Sequence, residues 1–431
     1  MIAEFFKLQE NGSTVRREVL GGLTTFVTMA YIVIVNPRIL SETGMPLEGI
    51  LFATCVSAAT ATFVMGLHAN YPIALAPGMA LNSYFTYSVV LGMGVPWRSA
   101  LGLVFVSGVM FLLLTVTGVR EQIINGIPPC IKKSVPAGIG LFIAYIGLRN
   151  ANLVVPDVNT FVTIGDFSDA RVQTACFGIL LTAILVRYRT SGAILLGILG
   201  TTCFAVLRGL THWPSQILSM PDVSGTFLQL DLVGGMRLGL LEILFVFLFV
   251  DLFDSVGTIL GVGEQAGLMK KGKLPRAGRA LVADGVGTIF GSLTGTSTVT
   301  SYIESAAGVS AGARTGLSNM VVGVLFLAAM FFSPLVAAIP SVAVAPALLL
   351  VGALMVRSIR AVNWSDFTEA TPALVILLAT PLTFSVATGL SLGLIVFSLV
   401  KLAGGKRREV SLLVWVLTFV FALRYVYLAI R

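Results

Sequence analysis

The chain has 431 residues, of which 56% are hydrophobic and only 11% charged, against roughly 25% charged in a soluble domain. The deficit runs along the whole length, which excludes a soluble domain tied to a small anchor. The net charge of +8 is spread through short loops between apolar runs; it reads as membrane topology, and nucleic acid is not an expected partner.

Only helices and closed barrels satisfy their backbone in lipid. Apolar runs of about 15–22 residues recur and barrel-type alternation is absent, so a helical bundle is expected. The first 18 residues are polar with no cleavage site behind them, so the first span is expected to be retained. In chain order the spans fall near 19–35, 49–66, 74–92, 98–118, 134–148, 172–186 and 191–207. A second set falls near 238–261, 280–294, 297–312, 315–332, 342–356, 371–386 and 388–402. Residues 410–430 form one further apolar helix, interrupted by Arg424, that either lies on the surface or crosses again.

Charge tests this count of fourteen. With the N-terminus inside, outward-facing loops hold only Arg38, Arg98, Arg149, Arg171, Arg208 and Arg237. Inward-facing loops take Arg16, Arg17, Arg120, Lys132, Lys133, Arg187, Lys270, Lys271, Lys273, Arg314 and most other basic residues. A miscounted span would scramble that asymmetry. Cys55, Cys130, Cys176 and Cys203 lack paired or metal-type spacing and read as apolar filler. No metal and no cofactor is expected.

Seven is odd, so a second set of seven enters the membrane from the opposite side, the inverted repeat of many secondary transporters. The two halves carry a faint echo. Asn82-Ser83-Tyr84-Phe85-Thr86 in the third segment matches Thr300-Ser301-Tyr302-Ile303-Glu304 in the tenth. Both segments are poor lipid-facing helices: one begins Ala76-Pro77-Gly78, the other with a β-branched run from Thr296 to Thr300 that favours extended backbone. Interrupted segments at corresponding positions point to a binding site.

A carboxylate at mid-span costs roughly 2.5–3.5 kcal/mol, so it persists where it faces a cavity, a partner or a proton. Asp251, Asp254, Ser255 and Thr258 fall at i, i+3, i+4 and i+7, one face of the eighth span. Glu304 stands where the tenth segment turns into a small-residue stretch, and is read either as a ligand group or as a structural cap. Asp284 in the ninth span either braces the seam or takes part in translocation. Asn82 offers an amide from the first half, while Thr28, Phe26 and Tyr31 in the first span either add contacts or only pack. His68 and His212 both fall in loops, so an embedded proton acceptor must be a carboxylate.

Two other classes compete. Gly308-Val309-Ser310-Ala311-Gly312 matches the G-x-S-x-G pattern of a serine hydrolase, but that pattern expects a strand–turn–helix context, and no histidine faces it from another span. An enzyme is therefore not expected. A channel remains an alternative, since a polar stripe can line a pore.

Four stretches carry a resemblance across nearly the whole chain. They are Gly21–Ile32 with Asn36-Pro37, Ala76–Phe85, Asp251–Thr258 and Thr296–Gly308. In these the chain resembles the nucleobase–cation symporters, in particular the AzgA-like branch of azaguanine and hypoxanthine–guanine permeases. The resemblance implies a core domain of spans 1–4 and 8–11 (1–133 and 238–332) and a gate domain of spans 5–7 and 12–14 (134–237 and 333–409). Residues 410–431 stand apart. It also implies short strands in segments three and ten, paired at the midplane. Substrate contacts are implied at Asn82, Asp251 and Glu304, with Thr300, Ser301 and Thr28 beside them, and translocation or proton coupling at Asp254, Asp284 and Glu304. The implied activity is import of purine bases, guanine or hypoxanthine first and adenine next, with a proton (less readily sodium) as coupling ion. Implied surroundings are the cell membrane, a cytoplasmic N-terminus and the option of a homodimer. Asp251 stands where xanthine and uracil permeases have a Glu, which favours the purine branch over those permeases; an anion transporter of the same fold stays an alternative.

Overall fold

The computed structural model describes residues 2–117, 126–235, 241–269 and 274–430. Arg120, Arg237, Lys270, Lys271 and Lys273, used above to orient the chain, lie outside the described residues.

Among the described residues, eight helical spans have the length and apolar composition to cross a bilayer, from Val15–Ser41 to Val386–Ala403. They fall on the expected first, second, fourth, fifth, sixth, eighth, twelfth and fourteenth stretches. The first is two helices, α1 (Val15–Met29) and α2 (Ile32–Ser41), broken at Ala30–Tyr31. Next come α3 (Leu47–Val64), prolonged by a π turn Met65–Ala69, and strand β1 (Leu75–Pro77). His68 lies on that π turn rather than in a loop, because the helix runs on past Val64; it is exposed. Helix α4 (Met79–Ser83) continues as a π segment Tyr84–Gly92 and precedes α5 (Trp97–Thr117) and α6 (Pro129–Asn150).

The loop after α6 holds an antiparallel hairpin of β2 (Val154–Asp157) and β3 (Phe161–Ile164), which the apolar-run pattern does not announce. Helices α7 (Ala170–Arg187) and α8 (Ala193–Leu207) pack together, and the second long loop then folds back through Thr226, fully buried against the positions of Gly49 and Gly295. The second half runs α9 (Leu241–Gln265), α10 (Ala277–Thr294), β4 (Val299–Ser301), α11 (Ser305–Ser310), α12 (Leu317–Ala329), α13 (Ser333–Ala338), α14 (Ser341–Val356), α15 (Phe367–Leu382), α16 (Val386–Ala403) and α17 (Leu412–Ile430). Gly295, at φ +108°, stops α10 and lets the chain turn into β4.

By contact the chain forms two compact units, Met1–Leu113 with Ile146–Leu350, and Leu114–Tyr145 with Val351–Arg431.

In the first unit β1 and β4 pair antiparallel, Leu75 opposite Ser301, Ala76 opposite Thr300 and Pro77 opposite Val299. The two expected strands, one from each half, therefore meet. All six residues are buried, so both outer edges of this sheet must find partners inside the protein.

The second unit settles where the last helix packs. Ser398 Oγ meets Thr418 Oγ1 at 2.7 Å and Ser391 Oγ meets Tyr425 Oη at 2.7 Å. Seven residues separate the contacts on each helix, in opposite directions, so α17 runs antiparallel to α16 for about 10 Å or more. At the intervening turn the buried Lys401 binds Glu409 at 2.5 Å, and Lys406 binds Asp366 at 2.8 Å. The hydrogen bonds from Lys406 and Thr368 hold the Asp366 carboxyl below the usual carboxylate range. If α16 crosses the membrane, α17 returns. Alkaline phosphatase fused after Gly405 and after Arg431 is expected to report opposite faces; the same face for both would lay α17 on the surface.

Candidate functional site

The crossing of β1 and β4 organises the polar residues of the first unit. Inward-facing groups pair across the strands, and just beyond them Gly78 N donates to Thr298 O at 2.9 Å and Tyr302 N to Ala74 O at 3.0 Å. Outward-facing groups are closed by hydroxyls. Thr62 Oγ1 on α3 donates to Leu75 O at 3.1 Å and accepts from Leu75 N at 3.0 Å. Thr288 Oγ1 on α10 does the same for Val299, at 3.2 and 3.1 Å. Pro77 has no N–H to satisfy, and its carbonyl accepts from Tyr302 Oη at 2.6 Å. The two threonines are counterparts in the two halves of the repeat. Thr288→Val keeps the shape but strips Val299 of both partners, which is expected to cost about 1–3 kcal/mol. Thermal unfolding of the detergent-solubilised protein should fall for Val and hold for Thr288→Ser.

Adjacent strand residues face opposite sides, and this divides the predicted site residues. Ser301 turns to α10, donating from Oγ to Asp284 Oδ1 at 3.1 Å; both are buried. Thr300 turns the other way, toward Asp254. Ser301 and Asp284 thus bond to each other, on the side of the strand away from Thr300.

Glu304 lies at the head of α11, and its side chain makes no hydrogen bond capping that helix. Instead Glu304 Oε1 accepts from Tyr31 Oη at 2.7 Å. The break at Ala30–Tyr31 frees Tyr31 from the helical run and brings it there. Thr28 Oγ1, bonded mainly to its own helix at Thr24 O and Thr25 O, lies 3.5 Å from Glu304 O. Asp254 and Glu304 are close enough to feel each other's charge. One cluster therefore unites Thr28, Tyr31, Asp254, Thr300 and Glu304, drawn from the first, eighth and tenth segments.

Asn82, fully buried on α4, accepts from Ser297 Oγ through Oδ1, and among the described residues its Nδ2 has no hydrogen-bond partner. Asp251 is fully buried on α9, three residues before the half-buried Asp254 and on the same face. One turn earlier the Phe247 ring meets Tyr84 edge-on at 5.2 Å between centroids, which sets α9 beside the segment that carries Asn82. Ser255 and Thr258 on the predicted stripe are buried too. Tyr31, which the sequence left between contact and packing, is placed against Glu304, while Ser297, Tyr302 and the two strand-closing threonines are neighbours that spacing alone did not single out.

Ser310 Oγ donates to Ala306 O at 2.9 Å and accepts from Gln265 Nε2 at 2.9 Å.

A family model described as "Permease family" (Xan_ur_permease) matches residues 16–392. The guanine/hypoxanthine permease PbuG of Bacillus subtilis is 44% identical over 436 residues, covering 98% of this chain and 99% of its own. The adenine permease AdeP of Escherichia coli is 42% identical over 429 residues, covering 99% and 96%. Among solved structures, the transmembrane domain of a cyanobacterium bicarbonate transporter, BicA, superposes with a TM-score of 0.65 at 15% identity, covering 86% of this chain and 97% of that one. That likeness carries the fold alone, the seven-plus-seven arrangement of inverted halves. With a family match over most of its length and full-length permease relatives, the chain belongs to this permease family, as a multi-pass membrane protein that transports rather than catalyses.

Proposed function

We propose that the protein imports purine nucleobases by proton symport, guanine and hypoxanthine ahead of adenine. The observation that carries this reading is the convergence of Glu304, held by Tyr31, with Asp254 and Thr300 beside a strand crossing shared by both halves. Relatives named as guanine/hypoxanthine and adenine permeases support the substrate class.

The chemistry fits a purine. Carboxylates accept ring N–H donors in charge-assisted bonds. Asn82, whose Oδ1 is taken by Ser297, has Nδ2 to offer, a donor matched to the 6-oxo group of guanine and hypoxanthine and not to the amino group of adenine. In this reading Glu304 binds the base and responds to protonation, Asp251 fixes ring orientation, and Asp254 with Thr300 couples binding to translocation. Thr28 supports Glu304, while Asp284 and Ser301 brace the strand that carries the site.

Movement follows the partition given earlier. The core (1–133 and 238–332) shifts past the gate (134–237 and 333–409) in an elevator-like step, with the N-terminus cytoplasmic in the cell membrane and the chain free to pair as a homodimer. The test is uptake of radiolabelled hypoxanthine by proteoliposomes under an imposed pH gradient, competed by unlabelled guanine, adenine, xanthine and uracil. Guanine should compete best. Saturation with counterflow separates a carrier from a channel, and sodium dependence without pH dependence would sink proton coupling.

A further inference from the structure

A cavity of about 290 Å³ lies among α1, α2, α8, α12 and α13, and no residue of β1 or β4 lines it. Its wall is apolar throughout, with Phe26, Ile34, Leu199, Ala329, Phe332 and Val336 at the points that matter. Such a space among membrane helices is filled by hydrocarbon more readily than by water, which needs polar partners.

One end of this groove is charged. Ile34 lines it, and Arg38 follows one turn later on α2. The Arg38 guanidinium donates through Nη2 to Val336 O at 3.2 Å and Ala337 O at 2.6 Å, and Val336 is itself a wall residue. These are carbonyls near the end of α13. Among the described residues no carboxylate lies within ion-pair distance of Arg38, and its Nε makes no hydrogen bond. A half-buried guanidinium next to a hydrocarbon groove is thus left without a neutralising anion, where an uncompensated charge is costly.

We propose that this groove is a binding site for an anionic phospholipid, one acyl chain along the apolar wall and the phosphate against Arg38. The pairing of a dry slot with an unneutralised fork-shaped donor is what a phosphodiester carrying a hydrocarbon tail would complete. The walls come from segments on both sides of the proposed core–gate boundary, α1, α2 and α12 on one and α8 and α13 on the other. A lipid seated there would therefore act on movement between them. That consequence rests on the transport reading; binding does not.

The experiment is native mass spectrometry of the full-length detergent-purified protein, titrated with phosphatidylglycerol or with phosphatidylcholine of the same chains. Phosphatidylglycerol should be retained preferentially. Arg38→Gln should lower its retention about tenfold, to the phosphatidylcholine level, and Arg38→Lys should keep most of it. Ala329→Phe, which fills the slot, should reduce retention of both lipids. Equal retention of the two lipids by the wild type would overturn the proposal, as would phosphatidylglycerol binding that ignores Ala329→Phe. So would inorganic phosphate displacing the lipid from the wild type as readily as added phosphatidylglycerol does. If Arg38→Gln does not fold, Ala329→Phe and the two-lipid comparison still decide. A loss of uptake with lipid binding intact would count against the transport reading and leave the lipid site standing.

Discussion

Glu304→Gln is expected to cut hypoxanthine affinity roughly 10-fold or more while leaving the protein folded. A hydrogen bond to a charged group contributes about 1.5–3 kcal/mol, and each 1.4 kcal/mol is about tenfold in affinity. Gln keeps the shape and can still accept from Tyr31 Oη through its carbonyl, so the 2.7 Å contact that positions the side chain need not be lost. What disappears is the negative charge that strengthens a bond to a ring N–H. Removing a half-buried carboxylate also removes a desolvation cost, so the melting temperature should hold or rise. Tyr31→Phe is expected to be milder, since it deletes one neutral donor and leaves the charge. The measurement is competition of labelled hypoxanthine uptake in wild type, Glu304→Gln and Tyr31→Phe. Unchanged affinity in Glu304→Gln would take that residue out of the binding site.

Much of the architecture was readable because membrane folding leaves its mark on composition. Apolar runs and basic loops announce helices, and the β-branched run before Glu304 announced an extended segment where β4 now stands. The embedded acids Asp251, Asp254 and Glu304 are legible because an ionisable residue in a span needs a reason. Their partners were not. Tyr31 and Glu304 are 273 positions apart, and only the inverted topology brings them together. Thr62 and Thr288 were hidden for a different reason. A threonine in an apolar helix usually bonds its own preceding turn, as Thr54 does to Ile50 O and Thr182 to Gly178 O. Nothing local distinguishes the two that instead close a strand edge. The opposite facing of Thr300 and Ser301 follows from strand alternation, and it is legible once the segment is read as extended.

Gly308→Val should cost both stability and transport, because two backbones touch where Gly308 stands. A Cβ at Gly308 would lie 2.0 Å from Thr25 Oγ1 and 2.5 Å from Gly21 O, and a Cβ at Gly21 would lie 2.9 Å from Gly308 O. Small residues on both sides let α1 meet α11 this closely. Valine adds three carbons to a contact with room for none, and overpacking of this kind costs about 1–3 kcal/mol or more. The damage has a direction. Beyond Thr25 the same span carries Thr28 and Tyr31, and α11 begins directly after Glu304, so prying the helices apart pulls Tyr31 from the carboxylate it holds. Gly308→Ala should already lower the unfolding temperature and weaken uptake, with Val more severe. Gly261→Ala is the control, since a Cβ there meets nothing within 4 Å and alanine favours the helix. If Gly308→Val melted like Gly261→Ala and transported normally, close contact of α1 and α11 would not be what positions Glu304.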